Sequence, residues 1–79
     1  MFINKAPNGK NNICGKNIAK YRKDINISQR ELADRLQVAG LDVDKNAIQR
    51  IEAGNRFVTD VELTYFSKVL CKSLDELLC

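Results

Sequence analysis

Apolar residues recur along this chain at helical spacing, with no alternating strand pattern anywhere. Cys14, Ile18, Tyr21 and Ile25 follow one another at steps of four, three and four, which lays them along one stripe of an α-helix. The spacing predicts a first helix over roughly residues 13–25, closed by Asn26, which tolerates the left-handed backbone of a helix C-cap. Ser28-Gln29-Arg30-Glu31 then has the form of a capping box, flanked by Ile27 and Leu32 as a hydrophobic staple. The second helix buries Leu32, Ala33 and Leu36 and turns Arg30, Asp34, Arg35 and Gln37 mostly to water. Val38 to Val43 reads as a connector, with Gly40 free to take positive φ and Val38, Leu41 and Val43 available to tuck back onto the core. Asp44 caps a third helix with Ile48 and Ile51 inward, and Gly54 stops it. Thr59-Asp60-Val61-Glu62 opens a fourth helix, whose Leu63, Phe66, Val69 and Leu70 point inward. Ser73-Leu74-Asp75-Glu76 opens a short terminal one, whose Leu74 and Leu77 can be taken up by the core. Five helices joined by short connections predict a compact all-α domain over residues 13–79, preceded by a flexible basic arm over 1–12.

Composition narrows the function classes. Seventy-nine residues suit one core, and 44% hydrophobic with 29% charged residues is ordinary for a globular chain. No apolar run approaches the roughly 18 residues a membrane helix needs, and residues 1–10 do not read as a secretory signal, so a cytoplasmic address is expected. The chain has three cysteines without close paired spacing and no histidine, so neither a metal nor a cofactor is expected. Cys14 and Cys71 read as small buried hydrophobes. Without histidine the commonest general base is missing, and no nucleophile or phosphate-cradling loop stands out, so an enzyme is not expected.

Charge points toward a polyanion. Residues 1–27 carry six Lys and Arg against one Asp, within a chain whose net charge is +3. Two short helices with a glycine-containing connector form the unit that sets its second helix in the DNA major groove. With Ile48 and Ile51 inward, the third helix presents Asn46, Gln49, Arg50 and Ala53, with Lys45 near its tip. Arginine can fork onto guanine, Asn and Gln can pair with adenine, and Lys can reach guanine or a phosphate. Alone, that face is equally what a plain solvated helix would show.

Residues 14–78 resemble the Cro and phage-repressor family of helix-turn-helix domains, also called XRE-like. The matching runs are Gly15-Lys-Asn-Ile-Ala-Lys-Tyr-Arg22, Ile27-Ser-Gln-Arg-Glu-Leu-Ala33, Ile48-Gln-Arg-Ile-Glu-Ala-Gly54 and Ser73-Leu-Asp-Glu-Leu77. The resemblance implies a five-helix lambda-repressor-like fold and a sequence-specific transcriptional regulator, in the first instance a repressor. It implies base reading by Lys45, Asn46, Gln49 and Arg50, with Gln29, Asn55 and Arg56 on phosphates. It also implies a structural ion pair between Arg22 and Glu52. The implied partner is double-stranded DNA with a near-palindromic operator, bound by a homodimer through apolar groups such as Phe57, Tyr65, Leu78 and Cys79. Lys5 and Lys10 of the arm could add phosphate or minor-groove contacts. The alternative is a protein-interaction or antitoxin-type module that keeps the fold without reading DNA.

Three features depart from the family pattern. The connector between Leu36 and Ile48 looks about five residues longer than the family's short turn. Cys71 and Lys72 stand where a glycine and an apolar residue are usual, and Ala47 replaces a frequent hydroxyl.

Overall fold

The computed structural model describes residues 10–78; Lys5, Cys79 and the arm over 1–9 lie outside the described residues. Five helices follow one another: α1 (Gly15–Asp24), α2 (Gln29–Ala39), α3 (Lys45–Glu52), α4 (Asp60–Leu70) and α5 (Leu74–Leu78). The described residues contain no strand.

Each boundary has a local chemical cause. Helix N-termini leave backbone N–H groups without carbonyl partners, and here polar side chains accept from them. Glu31 N donates to Ser28 Oγ at 3.0 Å, Ala47 N to Asp44 Oδ1 at 2.8 Å and Glu62 N to Thr59 Oγ1 at 3.2 Å. Glu62 and Glu76 return the contact by accepting from the N–H of Thr59 and Ser73, so both of these capping boxes are complete. At α2 only the serine half forms, because the Glu31 carboxylate pairs instead with Arg35 one turn along, at 2.7 Å. The C-termini end on left-handed residues: Asn26 and Cys71 at φ 57°, and Gly40 at φ 115°.

The core gathers Cys14, Ile18, Ile27, Leu32, Ala33, Leu36, Val43, Ile48, Ile51, Phe66, Leu70 and Leu77. Phe66 is the largest of the fully buried side chains. α2 packs on α3 and α4, and α1 packs on α3, α4 and α5. The last turn of α5 is tied to α1, with Asn17 Nδ2 donating to the Leu77 carbonyl at 2.9 Å and Tyr21 Oη to that of Glu76 at 3.3 Å.

Four expectations are corrected. Val38 is 91% exposed, because α2 runs on to Ala39 and two further residues rotate the helix by about 200° from buried Leu36. The connector is thereby shortened to Gly40–Asp44. Ile25 is exposed because the chain leaves the helix there, at φ −99° and ψ 11°. Cys71 is exposed, since the left-handed cap turns it outward, whereas Cys14 is buried and its thiol is pushed up to about 11. Desolvation is the main cause, with Glu62 adding to it and a backbone hydrogen bond opposing it. Leu74 is exposed at the start of α5, and Leu77, one turn on, fills the core alone. Leu63 and Val69 are half-buried, and Tyr65 packs against the core edge. Lys72, in place of the expected apolar residue after α4, lays its ammonium over the Tyr21 ring at 4.9 Å.

Gly15 lies directly against the end of α3. A Cβ there would overlap the Ile51 carbonyl oxygen and stand 2.8 Å from Asn12 Oδ1. Gly15→Ala therefore forces α1 away from the end of α3, and the expected loss is about 3 kcal/mol by urea denaturation. Stability within about 0.5 kcal/mol of the parent would show that this approach is not a constraint.

Candidate nucleic-acid interface

α3 is a short amphipathic helix. Ile48 and Ile51 are fully buried, while Lys45, Asn46, Gln49, Arg50 and Ala53 are exposed. Asn46, Gln49, Arg50, Ala53 and Asn55 line one open depression on the surface. Lys45 lies outside it, at the N-terminal tip beside the Asp44 cap. Among the described residues, the side chains of Lys45, Asn46, Gln49 and Arg50 make no hydrogen bond or ion pair, so their donors face solvent uncommitted.

The opposite edge of α3 is tightly held. Arg22 of α1 grips Glu52 with two parallel bonds, Nε to Oε2 at 2.7 Å and Nη2 to Oε1 at 3.0 Å. The two side chains are only 11% and 7% exposed. Arg22 Nη1 also donates to the Ile27 carbonyl at 2.8 Å, and Gln29 Nε2 donates to Glu52 Oε1 at 2.9 Å. One carboxylate thus joins α1, the turn before α2 and the first residue of α2 to the end of α3. Gln29 spends its side-chain N–H on this network, while its backbone N–H lies in the first turn of α2, at the positive end of the helix dipole.

The loop after α3 contains Asn55 and Arg56. Asn55 is exposed, with its N–H donated to the Arg50 carbonyl at 2.8 Å. Arg56 is half-buried and bidentate on Glu62, at 3.2 and 2.9 Å, and donates to the Phe57 carbonyl as well. Burial pushes the Glu62 carboxyl upward, but the Arg56 guanidinium and the Thr59 N–H outweigh it and hold the group below its ordinary value.

Three polar residues were not singled out from the sequence. Gln37 donates to the Val43 carbonyl at 2.7 Å and pins the connector to α2. Asn11 and Asn12 bond to the end of α3 and its loop. The only local signal was the Asn12-to-Gly15 spacing, over which an Asn side chain can accept from a nascent helix N–H.

Residues 18–77 match the family model HTH_3, helix-turn-helix. The chain belongs to the helix-turn-helix family, in its XRE-type branch. α2, the Gly40–Asp44 connector and α3 form its helix-turn-helix unit. Among solved structures, the crystal structure of the restriction-modification controller protein C.AhdI from Aeromonas hydrophila is similar, with a TM-score of 0.70 and 23% identity. The likeness covers 81% of this chain and 86% of that one, and at this identity it speaks to the fold. No curated protein sequence matches. No helix among the described residues is long and apolar enough to cross a membrane.

The lowered Glu62 value sets an acid limit for this helix-turn-helix domain. Because the folded value lies below the ordinary 4.5, the stabilisation is complete above that pH and is lost as pH falls from 4.5 through the folded value. Urea midpoints across this range should decline for the parent and decline less for Glu62→Gln, which starts lower at neutral pH. Identical pH profiles would remove Glu62 as a source of the acid sensitivity.

Proposed function

We propose that this protein is a sequence-specific DNA-binding transcription regulator that lays α3 in the major groove. The observation that carries this reading is the uncommitted polar face of α3, offered to solvent while the opposite edge is locked by Arg22 and Glu52. A helix that presents Lys, Asn, Gln and Arg and turns its only acid inward matches the donor and acceptor pattern of base edges. Lys45, Asn46, Gln49 and Arg50 read bases. Gln29, through its backbone N–H, and the loop residues Asn55 and Arg56 face phosphates. The similarity to a restriction-modification controller protein accords with a regulatory role. In the first instance the regulator represses, by occupying its operator.

Two copies act together on a near-palindromic site, with half-sites about 34 Å apart. Leu74 and Leu78 of α5, 42% and 41% exposed, supply apolar surface for the second copy. Both expectations are tested on a duplex selected from random sequence. Arg50→Ala and Asn46→Ala should each weaken it by about 1–3 kcal/mol and relax preference at separate base pairs, whereas Arg56→Ala should weaken all duplexes alike. Unchanged selected sites in both α3 variants would refute the reading helix. If the parent showed no salt-dependent duplex binding at all, the protein-interaction module would be the better reading.

The second copy has its own readout. Sedimentation of the protein on its selected duplex should give two chains per site, and Leu78→Glu should leave one. Strictly one-to-one binding by the parent would leave a monomeric reader.

A further inference from the structure

The Ile51 carbonyl in the last turn of α3 and three carbonyls of the loop after it are claimed by a segment far away in the chain. A helix C-terminus carries partial negative charge on carbonyls that have no partner within the helix. In an interface for a polyanion those groups oppose the approach of phosphate. Here Asn12 Nδ2 donates both to the Ile51 carbonyl at 3.1 Å and to the Arg56 carbonyl at 2.7 Å. Asn11 donates its backbone N–H to the Gly54 carbonyl at 2.8 Å and its Nδ2 to the Asn55 carbonyl at 3.1 Å. Two adjacent asparagines therefore satisfy four carbonyls, all between residues 51 and 56. Asn12 is in turn held to α1, because its Oδ1 accepts from Gly15 N at 2.7 Å. The stem of Lys10 lies over buried Gly54, close enough that a Cβ there would come within 2.8 Å of it.

We propose that Lys10–Asn12 is a strap that positions the loop after α3 for the DNA backbone, with Asn12 as its principal positioning residue. The inference rests on the functional reading above and adds residues outside the helix-turn-helix unit to the DNA-binding surface. The strap acts through Asn55, which shares the depression on α3 with Asn46, Gln49 and Arg50, and through Arg56. It occupies one acceptor in the last turn of α3 and three in the loop beyond it, and holds that loop in one conformation before DNA arrives. Preorganisation of this kind improves affinity by removing an ordering cost from the binding step. It adds no base contact, so its effect is the same on every sequence.

The test uses the full chain and the selected duplex. Asn12→Ala removes both bonds from Nδ2 and the Oδ1 contact to Gly15 N, and Asn11→Ala removes only the bond to Asn55. Val69→Ala, in the last turn of α4 and away from the loop, serves as the destabilised control. All variants are assayed well below their melting temperatures, where circular dichroism shows them folded. Asn12→Ala should lose about tenfold in affinity on specific and non-specific duplexes alike, and Asn11→Ala about twofold to threefold, with the salt slope unchanged because no charge is removed. Amide exchange at Asn55 should accelerate in Asn12→Ala and stay at the parent rate in Val69→Ala, which should bind as the parent does. Should Asn12→Ala not fold, Asn11→Ala carries the test by the same two measurements. Parental affinity in the folded strap variants, or an equal loss in Val69→Ala, would overturn the strap and leave the functional reading intact. Failure of the parent to bind duplex would overturn both.

Discussion

The orientation of α3 depends on one buried carboxylate. Glu52 accepts from Arg22 twice and from Gln29 once, and Arg22 adds a bond to the Ile27 carbonyl, so four chain segments meet at one charge pair. Burying such a pair is costly, and its Coulomb attraction offsets the desolvation only when geometry is good and the remaining hydrogen bonds are made. Both conditions hold here. Apolar side chains of the same volume often match such a pair in stability, whereas removing one partner strands the other charge at a cost of about 3–5 kcal/mol. What the pair supplies is directional. Apolar contacts through Ile48 and Ile51 decide which face of α3 turns to the core, and the bidentate fork, satisfied over a narrow range of angles, narrows its orientation further.

This matters because α3 is too short to be a helix on its own. Eight residues lie below the length at which isolated helices are stable in water, so its existence and its direction both come from the surroundings. Asp44 caps one end and the Arg22–Glu52 pair clamps the other, while the connector is held at Val43 by Gln37. Two residues of the longer connector, Val38 and Ala39, are absorbed into α2 before Gly40 turns the chain. The Gly40–Asp44 connector is held by backbone hydrogen bonds from Gly40 and Leu41 to the Leu36 carbonyl and by the Gln37 side chain on the Val43 carbonyl.

What was legible in the sequence was what is encoded locally. Capping serines, threonine and aspartate, the left-handed Asn26 and Gly40, and the inward stripes of each helix all arise from contacts within a few residues. The failures arise where a helix boundary moved or a partner was distant. Val38 was misplaced because α2 continues through it to Ala39, which carries Val38 about 200° around the helix from buried Leu36. The Asn12 contacts span 39 and 44 residues, and no local pattern encodes them. The residue types of the reading face were plain in the sequence, but the commitment of Gln29 to Glu52 and of Arg56 to Glu62 was not, because both partners come from other elements.

That commitment separates two kinds of polar group on the surface. A donor already bonded within the protein reaches a phosphate only by giving up a bond, so part of the new interaction is lost in exchange. Gln29 and Arg56 are in this position, with their side-chain N–H groups turned to Glu52 and Glu62. For Gln29 the backbone N–H in the first turn of α2 offers a phosphate a contact that leaves the Glu52 network whole. For Arg56 the fork on Glu62 holds α4, so on the proposed reading it would act on a phosphate through field more than through a direct bond. Lys45, Asn46, Gln49 and Arg50 have no such exchange to make, and only water is displaced from them. On the proposed reading, specificity resides in the four uncommitted side chains, and the committed ones set where those four stand.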